Sequence, residues 1–248
     1  MAGLRRVVTG RQRHDVLVVC ATFTEVMPLQ HLLTAEESTY ARGLAARRAR
    51  DFTAGRTLLR WVLRRELGEE GRHARIGRTG RGKPVLEGRE STGISISHSG
   101  ETVAVALAHG RAVGVDVQVP IPPTDGLVAA LCCSRTQARE LAALRAERQA
   151  TALARRWAVH EACAKATGRG LVRRPETYAG PLWADRGHGR GLGWNVLPPF
   201  GDCALAVAFD RPDPFPAVGL VVLSHELCTG GAPGNRTTQK EALSHHGG

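Results

Sequence analysis

The 248-residue sequence has few aromatic residues, few lysines and no long apolar run. No stretch approaches the roughly 18 apolar residues that a membrane-spanning helix needs, so we predict a protein without a membrane segment. Its first residues also lack the apolar stretch and cleavage site of a signal peptide, and we therefore expect a cytoplasmic protein. Because 42% of the residues are hydrophobic, the chain can form one large core or two small ones.

The six cysteines form neither a CxxC pair nor a Cys/His pattern with zinc spacing. This argues against a disulfide framework and against a structural zinc site. We expect reduced and mostly buried thiols at all six positions, which are Cys20, Cys132, Cys133, Cys163, Cys203 and Cys228.

The formal charge of +11 predicts a partner that is a nucleic acid, a phosphorylated small molecule or an acidic protein. A nucleic-acid-binding module is the less favoured of these, because only 4% of the residues are aromatic and no RNP or zinc-finger pattern is present. Lysine occurs only at Lys83, Lys165 and Lys240, and every other basic residue is arginine. These lysines are candidates for sites that need a compact charge or a transferable proton.

The predicted elements place helices before β meanders twice along the chain. In the first half, a strand is predicted at residues 15–21, a helix at 45–67 that Gly68 ends, and strands at 94–97, 102–108 and 112–119. In the second half, the predicted helices are 135–146 and 150–167, and the predicted strands are 178–184, 193–197, 204–209 and 217–223.

This order predicts an α+β fold of two similar halves, each a helix packed on a small antiparallel sheet. Three prolines near the middle of the chain break it between the halves. The expected units are an N-terminal half at residues 1–119, a C-terminal half at residues 120–228 and a disordered tail at residues 229–248.

Two polar side chains share one face of a predicted strand in the segment AVGVDVQV. The period of two places Asp116 and Gln118 opposite the neighbouring valines. Two oxygen ligands at this spacing can bind a hard cation, although this segment taken alone favours an exposed polar face of an edge strand.

Trp157, Glu161 and Lys165 lie four residues apart in RRWAVHEACAKATGRGL and therefore share one side of a helix. An ordinary surface pair of Glu and Lys, worth about 0.2 to 0.5 kcal/mol, is one interpretation. The tryptophan on the same face indicates burial, which favours a partly buried pair that faces a cleft and could act in catalysis.

Two other segments hold candidate phosphate ligands. Lys83 lies in the glycine-rich turn RTGRGKPVL, whose backbone can approach a ligand closely, but no Walker pattern is present. Ser97 and His98 in ISISHSG lack the GxSxG context of a hydrolase. His98 is either a phosphate-binding donor at a strand end or a turn histidine.

Four motifs in order resemble the surfactin-synthetase-activating (Sfp-type) 4'-phosphopantetheinyl transferases. The motifs are GKP, SISHSG, GVDVQ and WAVHEACAKATGRGL, and with the upstream segment AGRTLLRWVLRREL they span roughly residues 45–171. The resemblance implies two similar halves related by a pseudo-twofold axis, with coenzyme A in the cleft between them. We expect the protein to be a monomer. It implies transfer of phosphopantetheine from coenzyme A to a serine of an acyl or peptidyl carrier protein, the holo-[acyl-carrier-protein] synthase reaction.

The resemblance also implies residue roles. Asp116 and Glu161 would bind Mg²⁺ with Gln118 as a third ligand, Glu161 would help to deprotonate the carrier serine, and Lys165 would neutralise the departing 3',5'-ADP. The residues expected to hold coenzyme A are Arg56, Lys83, Ser97, His98 and His160.

Two residues depart from the family pattern. Gln118 stands where glutamate is usual, which removes a negative charge from the expected metal site. His160 replaces a lysine, so a phosphate contact there would depend on protonation. A relative that binds coenzyme A without transferring it therefore remains an alternative.

Overall fold

The computed structural model describes residues 14–132, 134–170 and 181–223. These residues form an α+β fold, which confirms the predicted class. The strands are β1 Val16–Thr22, β2 Ile76–Arg78, β3 Pro84–Leu86, β4 Thr92–Ser99, β5 Thr102–His109, β6 Val113–Gln118, β7 Arg186–Gly189, β8 Leu192–Phe200, β9 Cys203–Asp210 and β10 Val218–Val222. The α-helices are α1 Phe23–Val26, α2 Ala35–Arg42, α3 Ala46–Arg72, α4 Asp125–Leu131, α5 Arg135–Ala142 and α6 Ala146–Thr167, and a 3₁₀ helix covers Met27–Leu32.

The first sheet has the strand order β10-β1-β5-β4 and is covered by helix α3. Leu58, Leu59 and Leu63 of the helix pack against Val103 and Val105 of β5 in one apolar core. The pairs β1–β5 and β4–β5 are antiparallel as expected, whereas β1 and β10 pair in parallel. A parallel pair joins strands that are far apart in sequence, which a local pattern does not reveal.

Helix α3 was predicted to end at Gly68, but it is only interrupted there. This glycine has a φ of 61° and interrupts the helical backbone, although helical hydrogen bonding resumes and continues to Arg72. The shorter helix α2 before it was not predicted. It begins with a capping box in which Thr34 accepts from the backbone of Glu37 and Glu37 accepts from the backbone of Thr34.

The second sheet has the order β6-β9-β8-β7, is antiparallel throughout and is covered by helix α6. The helix presents small residues to the sheet, among them Ala158 and Ala162, which pack with Ala206 and Trp194. Part of the strand predicted at residues 178–184 lies outside the described residues. Its remainder forms a turn, and the observed edge strand β7 follows it.

The two sheets exchange strands across the predicted boundary after residue 119. Strand β6 precedes the boundary but pairs with β9, and strand β10 follows it but pairs with β1. A second apolar core between the sheets contains Val18 and Val115. The division into two halves and their pseudo-twofold axis stay predictions.

The remaining expectations concern thiols, the tail and membrane segments. Cys20, Cys163 and Cys203 are buried free thiols, and burial raises the pKa of each. Cys133, Cys228 and the predicted disordered tail lie outside the described residues. Within the described ranges, no helix combines the length and the apolar character that crossing a membrane requires.

Candidate active site

Helix α6 and strand β6 approach each other closely at Gly114, because neither element has a large side chain there. A β-carbon on Gly114 would lie 2.0 Å from the carbonyl oxygen of Ala162 and 2.4 Å from the backbone nitrogen of Ala166. Only glycine fits such a contact between backbones. The close approach brings the short side chain of Asp116 on β6 within reach of Lys165 on α6.

Asp116 is the centre of a buried polar cluster. Its Oδ1 accepts a hydrogen bond from the Ser97 hydroxyl at 2.7 Å and another from the Lys165 ammonium at 2.6 Å. Burial raises the pKa of Asp116, and the neighbouring Lys165 opposes that shift. In the part of the chain that the structure describes, the buried Oδ2 has no hydrogen-bond partner. A buried carboxylate oxygen without a partner is costly, and a bound cation would relieve that cost.

Glu161 adds a second carboxylate to the cluster, one helical turn before Lys165. It is partly buried, and both burial and the charge of Asp116 raise its pKa, while Lys165 lowers it. Two carboxylates that interact beside one ammonium form a donor set suited to Mg²⁺, which prefers oxygen ligands. The described residues contain no group of three His, Cys, Asp or Glu side chains placed to hold a metal.

Gln118, the expected third ligand, lies two residues after Asp116 on β6. It is partly buried, and its side-chain amide donates to the carbonyl of Val119 at 3.1 Å. Its role at a metal stays a prediction.

Lys83 lies outside the Asp116 cluster. Its ammonium donates to the carbonyl of Ala166 in α6 at 2.7 Å and to that of Val113 in β6 at 3.3 Å. Burial lowers the pKa of Lys83, and Asp210 opposes the shift. A cation near the last carbonyls of a helix is favoured by the helix dipole. In this structure Lys83 therefore joins α6 to β6, and its predicted contact with phosphate stays a prediction.

His160 also lies away from the cluster, although it directly precedes Glu161. It is buried beside Trp157, with ring centroids 6.4 Å apart, and lines a small cavity with Arg156. Burial, followed by the charge of Arg156, lowers the pKa of His160. Among the described residues, the lining of this cavity does not include Asp116, Glu161 or Lys165, so His160 faces away from the Asp116 cluster.

An open cleft of about 420 Å³ lies between α2, α3, the β2–β3 hairpin and β4. This volume is within the range of about 300 to 1,000 Å³ that small-molecule pockets occupy. Basic and aromatic side chains dominate its lining, with Asp51 as its one acidic residue among those described. The basic and aromatic lining residues are Arg48, Arg56, Arg78, His98, Tyr40 and Phe52.

Arg56 is the most buried cation of this cleft. Its Nε lies 3.6 Å from Glu37, yet Nε and one terminal nitrogen have no hydrogen-bond partner among the described residues. Burial lowers the pKa of Arg56, and Glu37 opposes the shift. Buried guanidinium nitrogens without partners favour an anionic ligand at this position.

His98 links the cleft to the Asp116 cluster. It lies on β4 directly after Ser97, and its Nδ1 is 3.8 Å from Asp51. Burial raises the pKa of Asp116, and Lys165, Ser97 and His98 oppose that shift. The structure brings Ser97, Asp116, Glu161 and Lys165 together and places Arg56 and His98 in the adjoining cleft.

Sequence analysis missed three residues that shape the cleft, namely Arg48, Arg78 and Glu37. Arg48 and Arg78 do not differ in sequence from the many other arginines of the chain. Glu37 had a sequence signal, because Thr34 and Glu37 have the spacing of a capping box. In the structure Glu37 also accepts a bidentate hydrogen-bond pair from Arg60 and lies beside Arg56.

Residues 112–184 match the family model of the 4'-phosphopantetheinyl transferase superfamily. A Synechocystis protein named as a 4'-phosphopantetheinyl transferase is 31% identical over 160 residues, which cover 62% of this chain and 64% of that relative. The transferase HetI of Nostoc is 33% identical over 133 residues, or 51% of this chain and 55% of HetI. The human L-aminoadipate-semialdehyde dehydrogenase-phosphopantetheinyl transferase is 27% identical over 177 residues, or 65% of this chain and 57% of the human protein.

The matches confirm the resemblance at the level of the superfamily. The matched segments span less than two thirds of the length of these relatives. The family segment contains β6 and α6, the two elements that carry Asp116, Glu161 and Lys165.

Proposed function

We propose that the whole chain transfers phosphopantetheine from coenzyme A to a carrier protein, because residues 112–184 match the family model of the 4'-phosphopantetheinyl transferase superfamily. The oxygen of a carrier serine bonds to the phosphorus of the phosphopantetheine group, and the bond from that phosphorus to 3',5'-ADP breaks. The serine proton passes to a base. The partner is an acyl or peptidyl carrier protein, and the reaction is cytoplasmic and of the holo-[acyl-carrier-protein] synthase type.

The observation that carries this proposal is the Asp116 cluster beside a basic cleft. A transferase of this kind must neutralise a pyrophosphate, remove a proton from a hydroxyl and stabilise a negatively charged leaving group. The cluster supplies carboxylates and an ammonium for these tasks, and the cleft supplies cations for the phosphates.

Glu161 accepts the serine proton in this scheme. Burial and the charge of Asp116 raise its pKa, which makes it a stronger base than an exposed glutamate. Lys165 lies one turn away with a partly exposed ammonium. It meets the negative charge that develops on departing 3',5'-ADP.

Asp116 Oδ2 and Glu161 would hold Mg²⁺, and Gln118 is the proposed third oxygen ligand. The buried Oδ2 without a partner is the observation that fits a cation here. When bound, Mg²⁺ neutralises pyrophosphate charge and orients the phosphoryl group. Asp116 and Glu161 contribute the negative charge that makes this position favourable for the ion.

The cleft binds the phosphates of coenzyme A through Arg56 and His98, assisted by Arg48 and Arg78. Arg56 is preorganised because it is 5% exposed and lies beside Glu37. Guanidinium groups suit phosphate because they present several donors in one plane. A ligand in this cleft would adjoin the Asp116 cluster through His98.

A transfer assay tests the proposal. A panel of apo carrier proteins is incubated with coenzyme A and Mg²⁺, and intact-protein mass spectrometry follows the addition of one phosphopantetheine per carrier. Asp116→Ala and Glu161→Ala should abolish the addition while circular dichroism remains unchanged. Glu147→Ala is the matched control, because it removes an exposed carboxylate from the same helix. If no carrier is modified by the native protein, the transferase proposal fails; near-normal rates in either site variant would refute the site.

A further inference from the structure

Three alternate serines of β4 accept hydrogen bonds from the backbone of β6 and of Val119, the residue that directly follows it. We call this arrangement the serine ladder. Each serine hydroxyl accepts the N–H of the residue 20 positions later, so the two strands run side by side in the same direction. The pairs are Ser95 with Val115 at 3.0 Å, Ser97 with Val117 at 3.3 Å and Ser99 with Val119 at 3.1 Å.

The serine ladder joins the edges of the two sheets. Strand β4 ends the first sheet and β6 ends the second, and a backbone bridge joins Thr92 at the start of β4 to Arg111, which lies just before β6. Beyond that bridge the serine side chains span the gap. The backbone N–H groups of an edge strand need acceptors when they are buried, and the hydroxyls supply them.

Ser97 belongs both to the ladder and to the Asp116 cluster. A serine hydroxyl has one proton and two lone pairs. The N–H of Val117 and the ammonium of Lys165, at 2.9 Å, donate to its oxygen, so its single proton goes to Oδ1 of Asp116. Ser97 thereby fixes which oxygen of Asp116 is occupied and leaves Oδ2 for another ligand.

The serine ladder accepts the N–H groups of Val115 and Val117, the residues on either side of Asp116. The backbone of Asp116 is therefore fixed against β4 on both sides, while its side chain is oriented by Ser97. We propose that the serine ladder positions Asp116 for transfer, with Ser95 and Ser99 as positioning residues whose ladder hydrogen bonds go to Val115 and Val119. The consequence for turnover rests on the proposed function.

Alanine at Ser95 or Ser99 removes one acceptor and lets β6 shift against β4. We expect kcat to fall about tenfold, which is less than the roughly hundredfold loss that a 1 Å misplacement can cause. The KM for coenzyme A should stay within about twofold, since neither Ser95 nor Ser99 lines the cleft and Arg56 is held beside Glu37. Ser99→Thr keeps the acceptor and should restore kcat. Ser91→Ala is the matched control, because Ser91 is exposed just before β4 and lies outside the ladder.

Two measurements by nuclear magnetic resonance need no turnover. Amide exchange should become faster at Val115 in Ser95→Ala and at Val119 in Ser99→Ala. The ¹³C resonance of the Asp116 carboxyl group should move in both variants and remain in place in Ser91→Ala. Ser99 is partly exposed, so Ser99→Ala keeps the test available if Ser95→Ala does not fold.

The outcomes separate the two proposals. Faster exchange with an unchanged Asp116 resonance and unchanged kcat would mean that the ladder only stabilises the fold, and the positioning role would be wrong. Unchanged exchange would refute the ladder itself. If the native protein modifies no carrier, the proposed function fails, and the Asp116 resonance alone then decides whether the ladder positions this carboxylate.

Discussion

Gly114→Ala should reduce both stability and turnover, because this glycine determines how closely α6 lies on β6. The added β-carbon would lie 2.0 Å from the carbonyl oxygen of Ala162, whereas an ordinary contact begins near 3.4 Å. The strand and the helix must therefore separate by roughly 1.4 Å at this point. The carbonyl oxygen of Ala162 and the nitrogen of Ala166, which the β-carbon would meet, belong to the helix backbone. No side-chain rotation can therefore relieve the contact.

The size of both effects follows from this displacement. Overpacking of a core costs about 1 to 3 kcal/mol, which lowers the melting temperature by about 2 to 12 °C for a chain of this size. Asp116 lies on β6 and Glu161 and Lys165 lie on α6, so a shift of more than 1 Å also separates the catalytic groups. A misplacement of that size can cost about a hundredfold in rate.

Differential scanning calorimetry and the carrier-protein assay measure the two effects on the same samples, with kcat determined below the unfolding transition. Gly126→Ala is the matched control. Its β-carbon would meet no atom within 4 Å, and alanine favours helix α4, so stability should remain equal or rise by about 1 kcal/mol. A Gly114→Ala protein with native melting temperature and native kcat would refute the argument from close packing.

Three further predictions concern the Asp116 cluster. Lys165→Arg should lower kcat about tenfold or more in the mass-spectrometric assay, because a guanidinium keeps the charge but transfers a proton poorly. A native rate would mean that Lys165 only pairs with Asp116 and has no part in transfer. Gln118→Glu should lower the Mg²⁺ concentration for half-maximal activity, since it adds an anionic ligand, and an unchanged or higher requirement in a Mg²⁺ titration would remove Gln118 from the metal site. Glu161→Gln should stabilise the metal-free protein increasingly as pH rises from the ordinary glutamate pKa near 4.5 to the raised pKa of the folded state, because the native state holds this proton more tightly than the unfolded state and therefore loses stability across that window. Urea unfolding of both proteins at several pH values in EDTA measures the difference in free energy of unfolding. A difference that does not change with pH would contradict the raised pKa.

The sequence predicted the elements that have a clear local period. Strand β6 has strictly alternating valines, and α6 has its polar residues four apart, so both the elements and the juxtaposition of Glu161 and Lys165 followed from spacing. Helix α2 was missed because it has eight residues and buries only Ala41. A helix with one buried residue has no apolar period to detect.

Contacts between distant segments could not be predicted in the same way. The alternation in β6 indicates a strand but does not identify the strand with which its backbone pairs, which is β9 of the second sheet. The contacts of Lys83 with the carbonyls of Val113 and Ala166 depend on tertiary packing that brings three segments together. The serine ladder had a sequence signal, SISHS, but its meaning required the position of β6.

The parallel pair of β1 and β10 has a consequence for how the chain acquires its structure during synthesis. Strand β1 emerges first, yet one of its two neighbours consists of residues 218–222, and the buried Leu223 donates its N–H to Cys20. The first sheet therefore cannot be completed until almost all described residues have left the ribosome. During translation, β1 therefore has an open edge until a strand about 200 residues away has been synthesised. Contacts of such high sequence separation form more slowly than local contacts.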